Sequence, residues 1–188
     1  DRTADLARAG GATAHERFDT TQVGKGYALE WLLARLQTSD YSYDAFVILD
    51  ADSIVSANFL TVMDARLSRG EKAIQAYYAV RDPASSWSAS LRAAALAALH
   101  YLRPLARSII GGSAGLKGNG MVFAAEILKR YRWTASLTED IEYHMSLILD
   151  GQRVTFAPDA IVWAEMPNSL ASSQTQNVRW ERGRQEMV

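Results

Sequence analysis

Five consecutive apolar residues, Ala45-Phe46-Val47-Ile48-Leu49, run straight into Asp50-Ala51-Asp52. The run is too short for a helix and lacks polar alternation, the pattern of a strand covered on both faces. Such a strand needs helices above and below it, and the rest of the chain supplies them. Gly24 to Leu36 predicts a helix with Trp31, Leu32 and Leu36 on one side. Ser56 is placed to cap a helix whose Phe59, Leu60, Met63 and Leu67 share a face. Lys72 to Val80 predicts the next strand. Trp87, Leu91, Ala94, Ala98, Tyr101, Leu105 and Ile109 recur at helical spacing, predicting a long amphipathic helix bent near Pro104.

The remaining segments continue the alternation. Asp1 to Ala9 is expected to be helical and Ala12 to Arg17 extended. Gly111 to Gly120 is a glycine-rich loop leading into a strand at Met121 to Phe123. Thr138 opens a helix through Leu149 with Ile141, Met145 and Ile148 toward the core. Val154 to Phe156 and Ile161 to Trp163 are expected as two strands, and a helix is expected from Ser172 onward. No repeat or low-complexity linker divides the chain, and 188 residues suffice for one domain with a core. We therefore expect a single α/β domain over residues 1–188.

Composition removes several classes of function. The net charge of −1 gives no global attraction to nucleic acid. The absence of cysteine excludes disulfides, thiolate metal sites and cysteine nucleophiles within these residues. His15, His100 and His144 are scattered, which leaves an oxygen-ligated metal as the open possibility. Ala93 to Leu102 is the most apolar helical stretch, about half the roughly 20 residues needed to span a bilayer.

Asp50 and Asp52 are the strongest chemical signal. Ligands of open α/β sheets bind beyond the carboxyl ends of strands, and this pair sits there. Mg²⁺ and Mn²⁺ prefer oxygen ligands, and Mg²⁺ is often held by one or two carboxylates plus substrate phosphates. A turn with a helix cap uses the same residues. Thr138-Glu139-Asp140 fits a capped helix start, and also a general base at Asp140. Gln176, Arg179 and Trp180 share a helix face, where Arg could fork onto phosphate and Trp could carry a sugar ring; a solvated basic helix with an anchored Trp fits equally. Lys25 lies in Gly24-Lys25-Gly26 at a helix start, an anion-favouring position or a plain turn. Gly118-Asn119-Gly120 could admit a ligand close to the backbone or simply bend a loop.

Taken together and in order, these segments resemble family 2 glycosyltransferases of the GT-A fold, the group that includes cellulose, hyaluronan and poly-N-acetylglucosamine synthases. Asp1-Arg2-Thr3-Ala4 resembles the tail of the D-N-x-T-D-x-T segment, and Gly24-Lys25-Gly26-Tyr27-Ala28-Leu29 the G-K-x-x-A-L element. Asp50-Ala51-Asp52-Ser53 resembles the D-x-D motif, and Lys117-Gly118-Asn119-Gly120 the loop before the acceptor region. Thr138-Glu139-Asp140 resembles T-E-D, and Gln176 to Trp180 resembles Q-x-x-R-W.

The resemblance implies a Rossmann-like, mixed, mostly parallel sheet with helices on both faces, here without its N-terminal strand, in a fragment of the catalytic domain. It implies Asp52 as ligand to Mn²⁺ or Mg²⁺, and Asp50, Lys25, Gln176 and Arg179 on the donor and its diphosphate. Asp140 would be the catalytic base, with Glu139, Trp180, Gly118 and Asn119 at the acceptor. The implied reaction is inverting transfer from a nucleoside-diphosphate sugar, expected to be a UDP-sugar, to a hydroxyl of a growing polysaccharide or lipid-linked glycan. The implied setting is the cytoplasmic side of the cell membrane, reached through segments outside a soluble fragment. The rivals are a sugar nucleotidyltransferase, which needs neither Q-x-x-R-W nor T-E-D, and a non-catalytic nucleotide-sugar-binding module.

Overall fold

The structure is a computed structural model, and it describes residues 2–38, 40–133 and 139–164. Its centre is one five-stranded sheet in the order β1-β4-β3-β5-β2. The strands are β1 (Ala45–Ile48), β2 (Ser53–Val55), β3 (Ala73–Val80), β4 (Met121–Ala124) and β5 (Val154–Ala164). The helices are α1 (Thr3–Ala9), α2 (Lys25–Gln37), α3 (Phe59–Ser68), α4 (Trp87–Ala97), α5 (Arg103–Ile109), α6 (Ala125–Arg130) and α7 (Glu139–Leu149).

The sheet is mixed, as expected, but among the described strands only β3 and β5 pair in parallel. β4 is antiparallel to both β1 and β3, and β2 is antiparallel to β5. The alternation of strands and helices does set β1, β3 and β5 running one way. It does not foresee β4 inserting between β1 and β3 in the opposite sense. Nor does it foresee β2, a three-residue strand directly after the Asp50–Asp52 turn.

Period-two alternation splits the core into two layers. Met121 and Phe123 face one layer with Leu33, Tyr143, Leu147 and Phe156. Val122 faces the other with Phe59, Met63, Ile74 and Val162. The two residues of β4 on the first face are 0% exposed, as is Val122 on the second, so this strand is covered on both sides. In the first layer Trp133 stacks on Tyr143 at 4.3 Å and 11°, with Phe123 edge-on to both.

Several local expectations change. In α7 the buried residues are Tyr143, His144 and Leu147, while Ile141, Met145 and Ile148 are 36%, 50% and 41% exposed. The helix carries two apolar stripes, and the aromatic cluster selects the one with Tyr143. In α2 the deepest apolar side chain is Leu33, with Leu29 one turn earlier against the same core. Trp31 instead lies under the Arg35 guanidinium. Of the long amphipathic stripe, Tyr101 and Leu105 reach the core, whereas Trp87, Leu91 and Ile109 are exposed.

Near Pro104 the regular α-helix is interrupted. The helix passes through a π turn at Ala98–Leu102 and restarts at Arg103, with Pro104 at its beginning. Proline cannot donate to the ladder and its ring crowds the carbonyl four residues back; a π turn is one way to relieve that conflict. Ala12 to Arg17 forms no strand. Ser56 does not cap α3: its hydroxyl accepts the Ile161 N–H, stitching β5 to the chain after β2. The two strands expected after residue 153 are one strand, with a register shift where Ala157 pairs Ala76 and Ile161 pairs Tyr77.

Candidate active site

The turn that follows β1 holds Asp50 and Asp52 at the carboxyl end of that strand, where the sequence places them. Three other elements reach the same edge: the start of α2 with Lys25, the loop 117–120, and the start of α7 with Asp140. Lys25 Nζ donates to Asp50 Oδ1 at 2.5 Å and to the Gly118 carbonyl at 2.6 Å. One side chain therefore ties the carboxylate turn to the glycine loop. Its charge serves Asp50, which a reading of the helix start as an anion cradle does not anticipate.

Asn119 is 1% exposed and is satisfied at both ends of its amide. It accepts the Asp50 N–H at 3.2 Å and donates to the Ser53 hydroxyl at 2.8 Å, fixing the turn that bears both aspartates. Its own backbone carbonyl accepts from Gln75 Nε2 at 2.8 Å. Gln75 Oε1 in turn accepts the Lys117 N–H at 2.9 Å. Asn119 thus works through the turn; an acceptor contact for it stays an expectation.

Asp140 lies against this loop. With φ of +74°, Gly118 adopts a backbone conformation that side-chain-bearing residues rarely take, and Asp140 Oδ2 sits 3.6 Å from where its Cβ would be. Asp140 shares a helix face with Tyr143, His144 and Leu147, so the packing that buries that face turns the carboxylate inward. Burial raises its pKa above the usual carboxylate value; the Ile141 N–H, Lys117 and Lys25 act in the opposite direction. Glu139 is the neighbouring first residue of α7 and is half-buried. Thr138, Gln176, Arg179 and Trp180 lie outside the described residues.

Sequence reasoning missed Tyr78, near the end of β3. Burial raises its pKa, and the negative charges of Asp50 and then Asp52 raise it further, while a hydrogen bond from Asn119 lowers it. His100 stacks on Tyr78 with ring centroids 5.0 Å apart and 12° between planes. The signal that could have pointed here is Gln75, a lone amide within an apolar strand: buried polar groups demand partners, and its partners are the site loop.

His100 and His144 are held neutral. Burial, then Lys117, lowers the His100 pKa to about 4; burial, then Arg107 and Lys117, lowers His144 to about 4. His144 also hydrogen-bonds the Ser113 hydroxyl at 2.8 Å. The unfolded chain takes up these protons below about pH 6.5, whereas the fold refuses them until near pH 4. Their contribution to stability is therefore complete above about pH 6.5 and lost as pH falls toward 4. Thermal unfolding should show a midpoint several degrees lower at about pH 4.5 than at about pH 7, and His144→Gln should flatten that slope. An unchanged slope in the variant would remove His144 from the account.

A family model described as "Glycosyltransferase like family 2" matches residues 12–183. The chain belongs to this family. Among curated relatives it is 28% identical over 151 residues to the poly-β-1,6-N-acetyl-D-glucosamine synthase of Staphylococcus aureus. It is 25% identical over 151 residues to that of Staphylococcus epidermidis. Each match takes in 78% of this chain, which spans only 36% of the relative's length.

Among solved structures, a mannosyltransferase of Pyrobaculum calidifontis in complex with GDP-Man and Mn²⁺ superimposes with a TM-score of 0.63 at 18% identity. The overlap covers 93% of this chain and 47% of that one. Glucosyl-3-phosphoglycerate synthase of Mycobacterium tuberculosis, with Mg²⁺ and UDP, gives 0.56 at 20% identity, over 92% of this chain and 59% of that one. At such identities the likeness shows the fold, and that fold is the GT-A arrangement of these glycosyltransferases.

Proposed function

We propose that this family 2 glycosyltransferase chain is the catalytic core of an inverting enzyme. It moves a sugar from a nucleoside-diphosphate sugar, a UDP-sugar by preference, to a hydroxyl of a polysaccharide or lipid-linked acceptor. The observation that carries the reading is the shared loop: Lys25 joins the Asp50 turn to Gly118, and Asp140 lies against that same glycine. The S. aureus relative, a polysaccharide synthase by name, supports the acceptor class.

In the transfer, an acceptor hydroxyl oxygen attacks the anomeric carbon while the bond from that carbon to the diphosphate oxygen breaks. Asp140 takes the hydroxyl proton. Its raised pKa suits it to hold a proton that an ordinary surface aspartate would release at once. Attack and departure on opposite faces invert the anomeric centre, with no covalent enzyme intermediate.

A divalent ion fits the donor set of the turn. Among the described residues no three His, Asp or Glu side chains gather as a closed metal site. Asp50 is engaged by Lys25, while Asp52 has no ion pair among the described residues. A hard cation held by Asp52 and completed by phosphate oxygens is the arrangement Mg²⁺ and Mn²⁺ accept. When bound, it would neutralise charge on the departing diphosphate. Gln176 and Arg179 are proposed to hold the same diphosphate, with Trp180 and Glu139 lining the acceptor.

No helix among the described residues is long and apolar enough to cross a membrane. We place the enzyme at the cytoplasmic face of the cell membrane through segments beyond these residues.

Incubating the full-length protein with UDP-sugars and Mn²⁺ should release UDP, and EDTA should abolish the release. Asp52→Ala should lower turnover about 100-fold or more and weaken Mn²⁺-dependent UDP binding. Pyrophosphate formation from UTP and a sugar 1-phosphate would instead identify a nucleotidyltransferase. Donor binding without turnover would identify a binding module.

A further inference from the structure

We propose that the outward face of α4, the π turn and α5 is a docking surface that lies flat on an anionic lipid bilayer.

These three elements follow one another without a break from Trp87 to Ile109. The inner side is committed to the domain: Pro104 is buried, and Tyr101 and Leu105 pack against the first core layer. The outer side lacks the polar face that a surface helix ordinarily presents. From Leu91 to Ile110 every exposed residue except Arg103 is apolar. Trp87, Leu91, Leu102, Ile109 and Ile110 are 81%, 65%, 60%, 76% and 82% exposed, and the alanines between them continue the stripe. The stripe runs about 35 Å from end to end. Contiguous apolar surface on that scale marks an interaction site.

The charges point to the occupant. No acidic residue lies between Asp82 and Glu126, whereas Arg92, Arg103, Arg107 and Lys117 do, in a chain whose net charge is −1. Arg103 is exposed within the stripe, and Arg92 is half-buried one residue after Leu91. Arginine can lay its stem along an apolar surface while its head reaches a phosphate oxygen. Leucine, isoleucine and tryptophan on one face, with arginines and no acid, suit a helix that rests at the boundary of headgroups and acyl chains. Anionic headgroups supply the negative charge that the stretch lacks. A second copy fits less well: stripe against stripe would oppose arginines to arginines with no acid to pair them. No helix among the described residues is long and apolar enough to cross a membrane, so the contact is lateral.

α5 leads directly into the loop 111–120, whose Gly118 lies against Asp140. On the sugar-transfer reading above, docking would set that loop beside the bilayer that carries a lipid-linked acceptor. The docking surface itself does not depend on that reading.

Photocrosslinking of the full-length protein in nanodiscs tests this, with a lipid that carries a diazirine in its acyl chain and with peptide mapping of the adducts. In discs of phosphatidylcholine with about 30% phosphatidylglycerol, adducts should fall within residues 87–110, about fivefold more than in phosphatidylcholine alone. Leu91→Glu/Ile110→Glu, at two exposed positions, should remove most of them. Arg92→Gln/Arg103→Gln should bring the yield in anionic discs down to that in neutral ones. Absence of adducts in this segment, or an unchanged yield in the glutamate variant, would overturn the proposal. So would equal yields on the two lipid compositions, or a zero-length protein crosslinker joining the segment to a second copy or another polypeptide. Failure of the same discs to release UDP from UDP-sugars, with the lipid adducts intact, would count against the sugar-transfer reading and leave the docking surface standing.

Discussion

Asp140→Asn should lower kcat with a UDP-sugar by about 1,000-fold, in the range that positioned general bases contribute. The substitution keeps the shape of the side chain, so α7 and its Tyr143–Trp133 stack should survive. UDP affinity should hardly move, because Lys25 makes its ion pair with Asp50 and Asp140 is proposed to act on the acceptor. The pH profile gives a second readout. Burial raises the Asp140 pKa above its ordinary value, so its carboxyl stays protonated, and the proposed base idle, at pH values where a surface aspartate is already ionised. The activity of the unmodified enzyme should therefore fall on the acid side at a pH above the usual aspartate value of about 3.9. The variant's residual activity should lack that limb. Steady-state UDP release across pH measures both, and undiminished turnover in the variant would remove Asp140 from the mechanism.

Gly120→Ala should cost the fold about 3 kcal/mol, combining a positive-φ penalty with overpacking. Gly120 has φ of +68°, and an added Cβ would lie 2.8 Å from Val162 Cγ2 and 3.2 Å from Ala76 Cβ. Neither neighbour can retreat, since both belong to buried strands in the second core layer. The backbone is equally committed: Gly120 N–H donates to Ile48 and its carbonyl accepts from Ala76, joining β1 to β3 just ahead of β4. At this chain length the thermal midpoint should drop by roughly 6–12 °C. Because Asn119 is the adjacent residue, the Asp50 turn should loosen as well, and UDP affinity should fall with stability. A midpoint within about 1 °C of the parent would show that the loop is less tightly held than described.

The sequence makes legible what depends on short-range pattern. The AFVIL run marks β1, the carboxylates fall at its end, and helical spacing with Pro104 locates a long helix interrupted by a π turn. It is poor at choosing between two faces of one helix. In α7 both stripes are apolar, and only the aromatic packing around Trp133 decides for Tyr143. That choice also decides where Asp140 points, so a motif can be recognised in the sequence while its aim is set by the core. The same holds for Lys25: Gly24-Lys25-Gly26 suggests an anion site, but a partner 25 residues away claims the ammonium. Tyr78 carries no local motif; it comes beside the Asp50 turn because β3 brings it there. β4 reverses the expected parallel order because strand insertion is settled by long-range pairing, which periodicity does not encode.

The central claim is that the aspartates after β1 and the aspartate opening α7 serve one bound donor. A crystal structure of the full-length protein with UDP and Mn²⁺ tests it most directly. We predict the metal on the Asp52 carboxylate, with the diphosphate lying in the space between that turn and Asp140. A diphosphate and metal bound at another surface, with Asp140 facing away from them, would contradict the account.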